Sequence, residues 1–153
     1  MVLQPFVEQA SAARARGGAR SSEGGTQRIA DPSGAQRCPA CHGLPLVAVL
    51  REEGHGARRS LVCADCLTEW PSHRLLCAAC GEREFAALPV FTAEQFGYVR
   101  VEACDTCRRY IKAIDLTKDG LAIAVVDDLA SVTLDLWARE QGYTRVRLNI
   151  LRT

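Results

Sequence analysis

No apolar run in this 153-residue chain approaches the roughly 18 residues that a membrane-crossing helix needs, so the sequence offers no helical span. The opening MVLQPFVEQA has no basic start, and Gln4, Pro5 and Glu8 interrupt its apolar run, which is not the pattern of a secretory signal. Net charge is nearly absent: 19 basic residues against 18 acidic ones leave +1. No global field therefore draws the chain toward nucleic acid or anionic lipid. Aromatic residues are few, and the sole methionine is Met1. No Ser/His/Asp grouping, Gly-rich phosphate loop or paired catalytic carboxylates stands out, and the expectation is a protein that is not an enzyme. Unpaired cysteine is lacking too, and that absence leads to what the chain does contain.

All eight cysteines fall into four CxxC pairs: Cys38/Cys41, Cys63/Cys66, Cys77/Cys80 and Cys104/Cys107. A CxxC turn aims two thiolates at one point, and two such turns complete a tetrahedral sulfur cage. Without an export signal the expected location is the cytoplasm, where thiols stay reduced and clustered cysteines read as metal ligands. A module this small also needs a staple, because its apolar core alone is marginal. Two metal sites are therefore expected between Cys38 and Cys107, and zinc and iron both accept four thiolates. Four pairs can assort in three ways. The expected assortment is sequential: Cys38, Cys41, Cys63 and Cys66 as one site, and Cys77, Cys80, Cys104 and Cys107 as the other.

The intervening segments suit this. Leu44–Leu50 and Arg59–Val62 read as strands around the turn Glu53-Gly54-His55-Gly56, so a hairpin joins the first CxxC to the second. Phe85–Phe91 is strand-like, and Tyr98–Ala103 sets Val99, Val101 and Ala103 against Tyr98, Arg100 and Glu102 with a period of two. Spacings of 21 residues from Cys41 to Cys63 and 23 from Cys80 to Cys104 suggest one unit duplicated. Arg109–Leu116 and Leu121–Val126 are expected to form a further hairpin about Thr117–Gly120. A helix is expected to begin at Asp127-Asp128, to turn Leu129, Val132, Leu136 and Trp137 to one face, and to end at Gly142. Upstream, a short helix over 3–15 precedes the Gly/Ser-rich RGGARSSEGGTQ, and the basic leading segment reads as largely disordered.

Several motifs carry rival readings. Cys38-Pro39-Ala40-Cys41-His42 matches the haem attachment signature CxxCH, but it is one match among four CxxC pairs, the only Met is Met1, and export is not indicated. A CxxC can be a thioredoxin-like redox pair, although that fold presents a single pair at a helix start. His42, His55 and His73 read as surface residues, and Trp70 and Trp137 as core anchors. A double zinc ribbon binding nucleic acid, or serving as a protein-interaction module, is the alternative function. The balanced charge argues against the nucleic-acid form.

The segments RCPACHGLPLVAVL (Arg37–Leu50), LVCADCLTEW (Leu61–Trp70), CAACG (Cys77–Gly81), VRVEACDTCRRYIKAID (Val99–Asp115) and VVDDLASVTLDLWAREQGY (Val125–Tyr143) resemble, in this order, the formate dehydrogenase accessory protein FdhE family. The resemblance covers about residues 36–153. It implies a small metal-bound α+β fold: two tandem rubredoxin-like or zinc-ribbon modules of short β-hairpins, followed by a C-terminal helix. It implies iron at the eight matching cysteines, with zinc as the other candidate, and a role as a cytoplasmic maturation factor. The partner implied is the catalytic subunit of a formate dehydrogenase; no membrane insertion is expected, and self-association is left open. The organisation expected is a disordered or partly helical segment over 1–36, one module over 37–75, a second over 76–126, and a helix and tail over 127–153. Family members carry a helical domain upstream of the cysteines, where only 37 residues precede Cys38 here, and His42 stands where a rubredoxin-type knuckle usually has Gly.

Overall fold

The structure is a computed structural model and describes residues 35–152. The expected helix over 3–15 and the expected disorder of the leading segment lie outside the described residues.

Among the described residues, seven strands form one mixed sheet: β1 (Pro45–Glu53), β2 (Gly56–Cys63), β3 (Glu69–Pro71), β4 (Val90–Thr92), β5 (Val99–Cys104), β6 (Arg109–Asp115) and β7 (Thr144–Arg145). Their order is β3-β2-β1-β6-β5-β4, with β7 beside β6. The β1–β2 hairpin closes where expected. Glu53 faces Gly56 across the turn, and Gly54 takes φ +58°, a conformation open to glycine at little cost. β5 and β6 form the second antiparallel hairpin, in register from Val99↔Ile114 to Cys104↔Arg109. Between the two hairpins β1 and β6 run parallel, from Ala48↔Ala113 to Leu50↔Asp115. The two cysteine-bearing halves thus share a single sheet. Their junction is its most buried part: five consecutive residues of β6, Tyr110–Ile114, are buried, as a strand covered on both faces must be.

The sheet has two unlike faces. On one, Val47, Val49, Val99, Val101, Tyr110 and Ile114 pack beneath two short helices, α1 (Ala124–Ala130) and α2 (Val132–Glu140). On the other, Ala48, Leu61, Trp70, Ile111 and Ala113 pack against the cysteines. The alternation read in Tyr98–Ala103 divides between them: Val99, Val101 and Ala103 are buried, while Arg100 and Glu102 lie on the cysteine face.

Three local expectations are corrected. Phe85–Phe91 is not one strand. A 3-10 turn over Phe85–Ala87 precedes Pro89, and only Val90–Thr92 pairs with β5. The hairpin expected between 109–116 and 121–126 does not form, because β6 has no edge to spare. β5 takes one edge, while β1 and β7 divide the other. Leu121 then turns on the Asp119 carboxylate, and the helix starts at Ala124, three residues early, its Ile123 amide donating to Asp127 Oδ2 at 2.6 Å. That helix also breaks at Ser131, whose hydroxyl donates back to the Asp127 carbonyl at 2.7 Å, a bond that bends helices. The bend turns Asp128, Ser131, Leu134, Asp135 and Ala138 inward. Leu136, expected inside, is 49% exposed, and Trp137 lies half-buried, edge-on to Phe91 with ring centroids 4.8 Å apart. Gly142 follows the helix at φ +81°, in the place expected of a C′ glycine.

Candidate metal centres

Each CxxC is a tight turn, and all four turns share one construction. The residue after the second cysteine has positive φ in every case: His42 (62°), Leu67 (59°), Gly81 (77°) and Arg108 (56°). In three of them the first cysteine's amide bonds to the carbonyl five residues on, Cys38 to Gly43 at 2.9 Å, Cys63 to Thr68 at 3.0 Å and Cys77 to Glu82 at 2.8 Å. In the fourth, Cys104 pairs with Arg109 as the end of the β5–β6 ladder. The His42 amide donates to the Cys38 carbonyl at 2.9 Å, as Gly81 does to Cys77 at 3.0 Å. His42 therefore reproduces the glycine geometry of the third turn. Inside the first three turns an amide also points at sulfur, those of Ala40, Asp65 and Ala79 lying 3.4 Å from Cys38, Cys63 and Cys77 Sγ.

The turns face each other in pairs. Cys38, Cys41, Cys63 and Cys66 form one sulfur cluster and Cys77, Cys80, Cys104 and Cys107 another, with all ligand atoms of a cluster within 4.8 Å of one another. None of the eight is in a disulfide. Each hairpin or its knuckle carries a pair back to meet the pair before it: β1–β2 returns Cys63 and Cys66 to Cys38 and Cys41, and β5 delivers Cys104 and Cys107 to Cys77 and Cys80.

The sulfur spacing tests what such a cluster could hold. Four sulfurs tetrahedrally placed about 2.3 Å from an ion stand about 3.8 Å apart. In the second cluster Cys77–Cys107 and Cys80–Cys104 are 3.7 and 3.8 Å. The first is slightly tighter, with contacts of 3.3, 3.4 and 3.6 Å. A disulfide would need about 2.0 Å. The donor set and the spacing thus fit a tetrathiolate ion at either cluster.

The thiols within each cluster are electrostatically unequal. Burial pushes the Cys63 thiol well above its ordinary range, and burial raises Cys77 to about 11 against the opposing amides of Cys80 and Ala79. Cys107 is likewise raised, chiefly by burial. At Cys66 burial also acts upward, but the hydroxyl and amide of Thr68, with the Cys41 and Cys38 thiols, outweigh it and bring the group down to about 6. Cys104 follows the same pattern: burial raises it, while the Cys107 amide and the thiols of Cys107, Cys77 and Cys80 lower it further. Cys66 in one cluster and Cys104 in the other thus hold negative charge readily, while Cys41 and Cys63, and Cys77 and Cys107, hold their protons more tightly. A divalent ion replaces those protons on binding. Thr68, with its Oγ1 3.2 Å from Cys66 Sγ, is a supporting residue that the cysteine pattern alone did not reveal.

The rival motifs find ordinary places. Cys38 and Cys41 point into the first cluster, and His42 is exposed, so CPACH is not arranged as a haem attachment. The pairs sit on hairpin-like turns, not at helix starts as in a thioredoxin-like site. His55 and His73 are exposed, and Trp70 is buried against the cysteine face.

A second polar centre lies across the sheet. Lys112 Nζ donates to Asp135 Oδ2 (2.6 Å), Ser131 Oγ (3.1 Å) and the Asp128 carbonyl (2.5 Å), and Arg145 pairs with both Asp128 and Asp135. Tyr110 completes the group through a 2.7 Å bond to Asp135, and burial together with that carboxylate pushes its phenol far up. All four charged side chains are almost fully buried. The sequence held one trace of this, a lysine on the inward phase of an otherwise apolar strand; Asp128 had read simply as part of a helix start.

Residues 75–151 match the family model described as FdhE, C-terminal domain. The protein FdhE homolog of Aquifex aeolicus (strain VF5) is 43% identical over 116 residues, which are 74% of this chain and 41% of the relative. The homolog of Edwardsiella ictaluri (strain 93-146) is 35% identical over 112 residues, 73% of this chain and 36% of the relative. Among solved structures, the crystal structure of the FdhE protein from Pseudomonas aeruginosa aligns with a TM-score of 0.68 at 34% identity, covering 76% of this chain and 41% of that one. The chain thus spans about two fifths of the length of the relatives it matches. It belongs to the FdhE family.

Proposed function

We propose that this member of the FdhE family is a cytoplasmic accessory factor for the maturation of a formate dehydrogenase. In this reading it binds the catalytic subunit of that enzyme and catalyses no reaction of its own. The observation that carries the proposal is the pair of four-sulfur clusters in a chain of this family.

Cys38, Cys41, Cys63 and Cys66 hold one ion and Cys77, Cys80, Cys104 and Cys107 the other, iron being preferred from the family resemblance. Bound, such an ion draws four thiolates to one centre, and iron in that cage can also carry one electron. The chain's own groups do the rest. Amides inside the knuckles donate to sulfur and offset the excess negative charge, and the Thr68 hydroxyl, which accepts from the Cys66 thiol at 3.2 Å, stands beside that sulfur once its proton has left. The cross-links so formed fasten loops 38–44 and 72–89 to the sheet. The product of this chemistry is a rigid surface on the cysteine face, suited to docking and not to turnover.

Expression of the chain with a tagged formate dehydrogenase catalytic subunit tests the proposal. Co-purification is expected, together with two metal ions per chain by elemental analysis and, for iron, a coloured sample. Replacing the four cysteines of either cluster by serine is expected to abolish co-purification and to lower formate dehydrogenase activity in cells. Folded, metal-free parent protein, or serine variants that co-purify as the parent does, would refute it.

A further inference from the structure

The cysteine face carries a groove of about 500 Å³ beside the second cluster. Its floor is the sheet: Arg59 of β2, Arg100 and Glu102 of β5, and Arg109 and Ile111 of β6. One wall is the segment from Arg74 to Ala78 that leads into the third knuckle; the other runs from Phe85 through Leu88 to Val90. Two properties of this groove bear on what it could hold.

The first is exposed apolar area. Leu75, Phe85 and Val90 are 51%, 72% and 53% exposed, and all three face the same groove. Isolated apolar residues on a surface are ordinary; several converging on one concavity mark a binding site. The second is charge. Four guanidiniums line the groove against one carboxylate, in a chain whose overall balance is only +1. That carboxylate, Glu102, is consumed by two of them: Oε2 accepts from Arg59 at 2.9 Å and Oε1 from Arg100 at 2.8 Å. Arg74 and Arg109 are exposed and make no side-chain bond or ion pair with any described residue. The groove thus offers an apolar slot flanked by two guanidiniums available for carboxylates. Val90 also belongs to β4, the end strand of the sheet, so an extended segment lying here would run beside an open edge.

We propose that this groove is the docking site for an extended acidic peptide segment of the partner protein, with an apolar side chain between Leu75, Phe85 and Val90 and flanking carboxylates on Arg74 and Arg109. The assignment rests on the reading above in taking the occupant from a protein partner. Charge disfavours two other occupants. Residues 1–34 carry four arginines against three acidic residues, the wrong sign for this groove. A two-fold contact between copies would set the same guanidiniums against each other.

The test uses the intact, metal-loaded protein and three fluorescein-labelled synthetic 12-residue peptides: one alternating Glu with Leu and Phe, one with Lys for every Glu, and one with Ser for every Leu and Phe. Polarisation titrations are expected to show the Glu/Leu/Phe peptide binding at least tenfold more tightly than the others, and more weakly as salt rises. The double variant Arg74→Glu/Arg109→Glu and the single variant Phe85→Ser should each lower that affinity at least tenfold with metal content and circular dichroism unchanged. Equal binding of all three peptides, or variants that bind as the parent does, overturns the proposal. So does a Glu/Ser peptide that binds equally well and is displaced by inorganic phosphate, which would mark a plain anion site. Sedimentation showing a parent dimer that Phe85→Ser dissociates would assign the groove to a second copy. Co-purification with the catalytic subunit is scored separately. If the charge-reversed variant loses the peptide yet keeps the subunit, the groove is not the partner site and the family function stands. A peptide preference in a parent that never captures the subunit upholds the groove and refutes that function.

Discussion

Replacing Lys112 by methionine keeps most of the side chain's volume and removes one positive charge from a closed, buried set of four. Lys112 and Arg145 oppose Asp128 and Asp135, so the parent set is neutral and the variant carries one uncompensated carboxylate in the interior. Breaking a buried ion pair from one side costs about 3–5 kcal/mol, because the abandoned charge has no water to turn to. The same change strips Ser131 Oγ and the Asp128 carbonyl of their lysine donor. Since a domain of this size is stable by about 5–15 kcal/mol, the loss is a large fraction of the whole. It corresponds to a melting temperature lower by about 10–20 °C. Urea denaturation followed by far-ultraviolet circular dichroism measures it, with the metal content of the folded variant determined alongside. Lys112 faces the helices, across the sheet from the sulfurs, so that content should stay at the parent value. Arg51→Ala, which breaks an exposed pair with Glu69, serves as the control and should cost under about 1 kcal/mol. Adding Asp135→Asn to Lys112→Met restores neutrality while leaving an acceptor for Tyr110, and should recover a substantial part of the loss. A Lys112→Met protein within about 1 kcal/mol of the parent, or one that has lost its metal, would refute the reasoning.

Two further outcomes follow from the sulfur clusters. Removing metal under reducing conditions with a strong chelator should unfold residues 38–107, because structural tetrathiolate ions supply about 10–16 kcal/mol of apparent folding free energy; unchanged circular dichroism and proteolysis would count against this. Thr68→Val deletes the hydroxyl beside Cys66 Sγ at nearly constant volume and should weaken metal binding at the first cluster about tenfold, leaving the second as it was. Chelator competition resolves the two sites, and equal weakening at both would show that Thr68 acts on the fold at large.

The four knuckles illustrate what is local in this protein. Each depends on residues within six positions of one another, and the spacing of the cysteines already implies its turn. Even His42, a non-glycine at that place as Leu67 and Arg108 are, falls into the same backbone conformation as Gly81. The β1–β2 turn at Gly54 and the alternation in Tyr98–Ala103 are legible for the same reason, since period and turn chemistry act over a few residues. The misreadings arose where a partner distant in sequence took precedence. Leu121–Val126 has the composition of a strand, yet β1, β5 and β7 already fill both edges of β6. Leu136 has the character of a core residue, yet Tyr110 and Lys112 of the distant β6 draw Asp135 inward and leave Leu136 facing out.

By itself, then, the order of residues determined the four metal-ready turns, their hairpin connections and the family to which the chain belongs, because thiol spacing and turn preference are short-range properties. Only the folded chain decided that the two halves join through the parallel pairing of β1 with β6. The buried Lys112 group and the groove beside Cys77 were likewise settled only there. Those features bring together residues tens of positions apart, and which distant groups meet is set by the burial of the whole sheet and not by any segment of it.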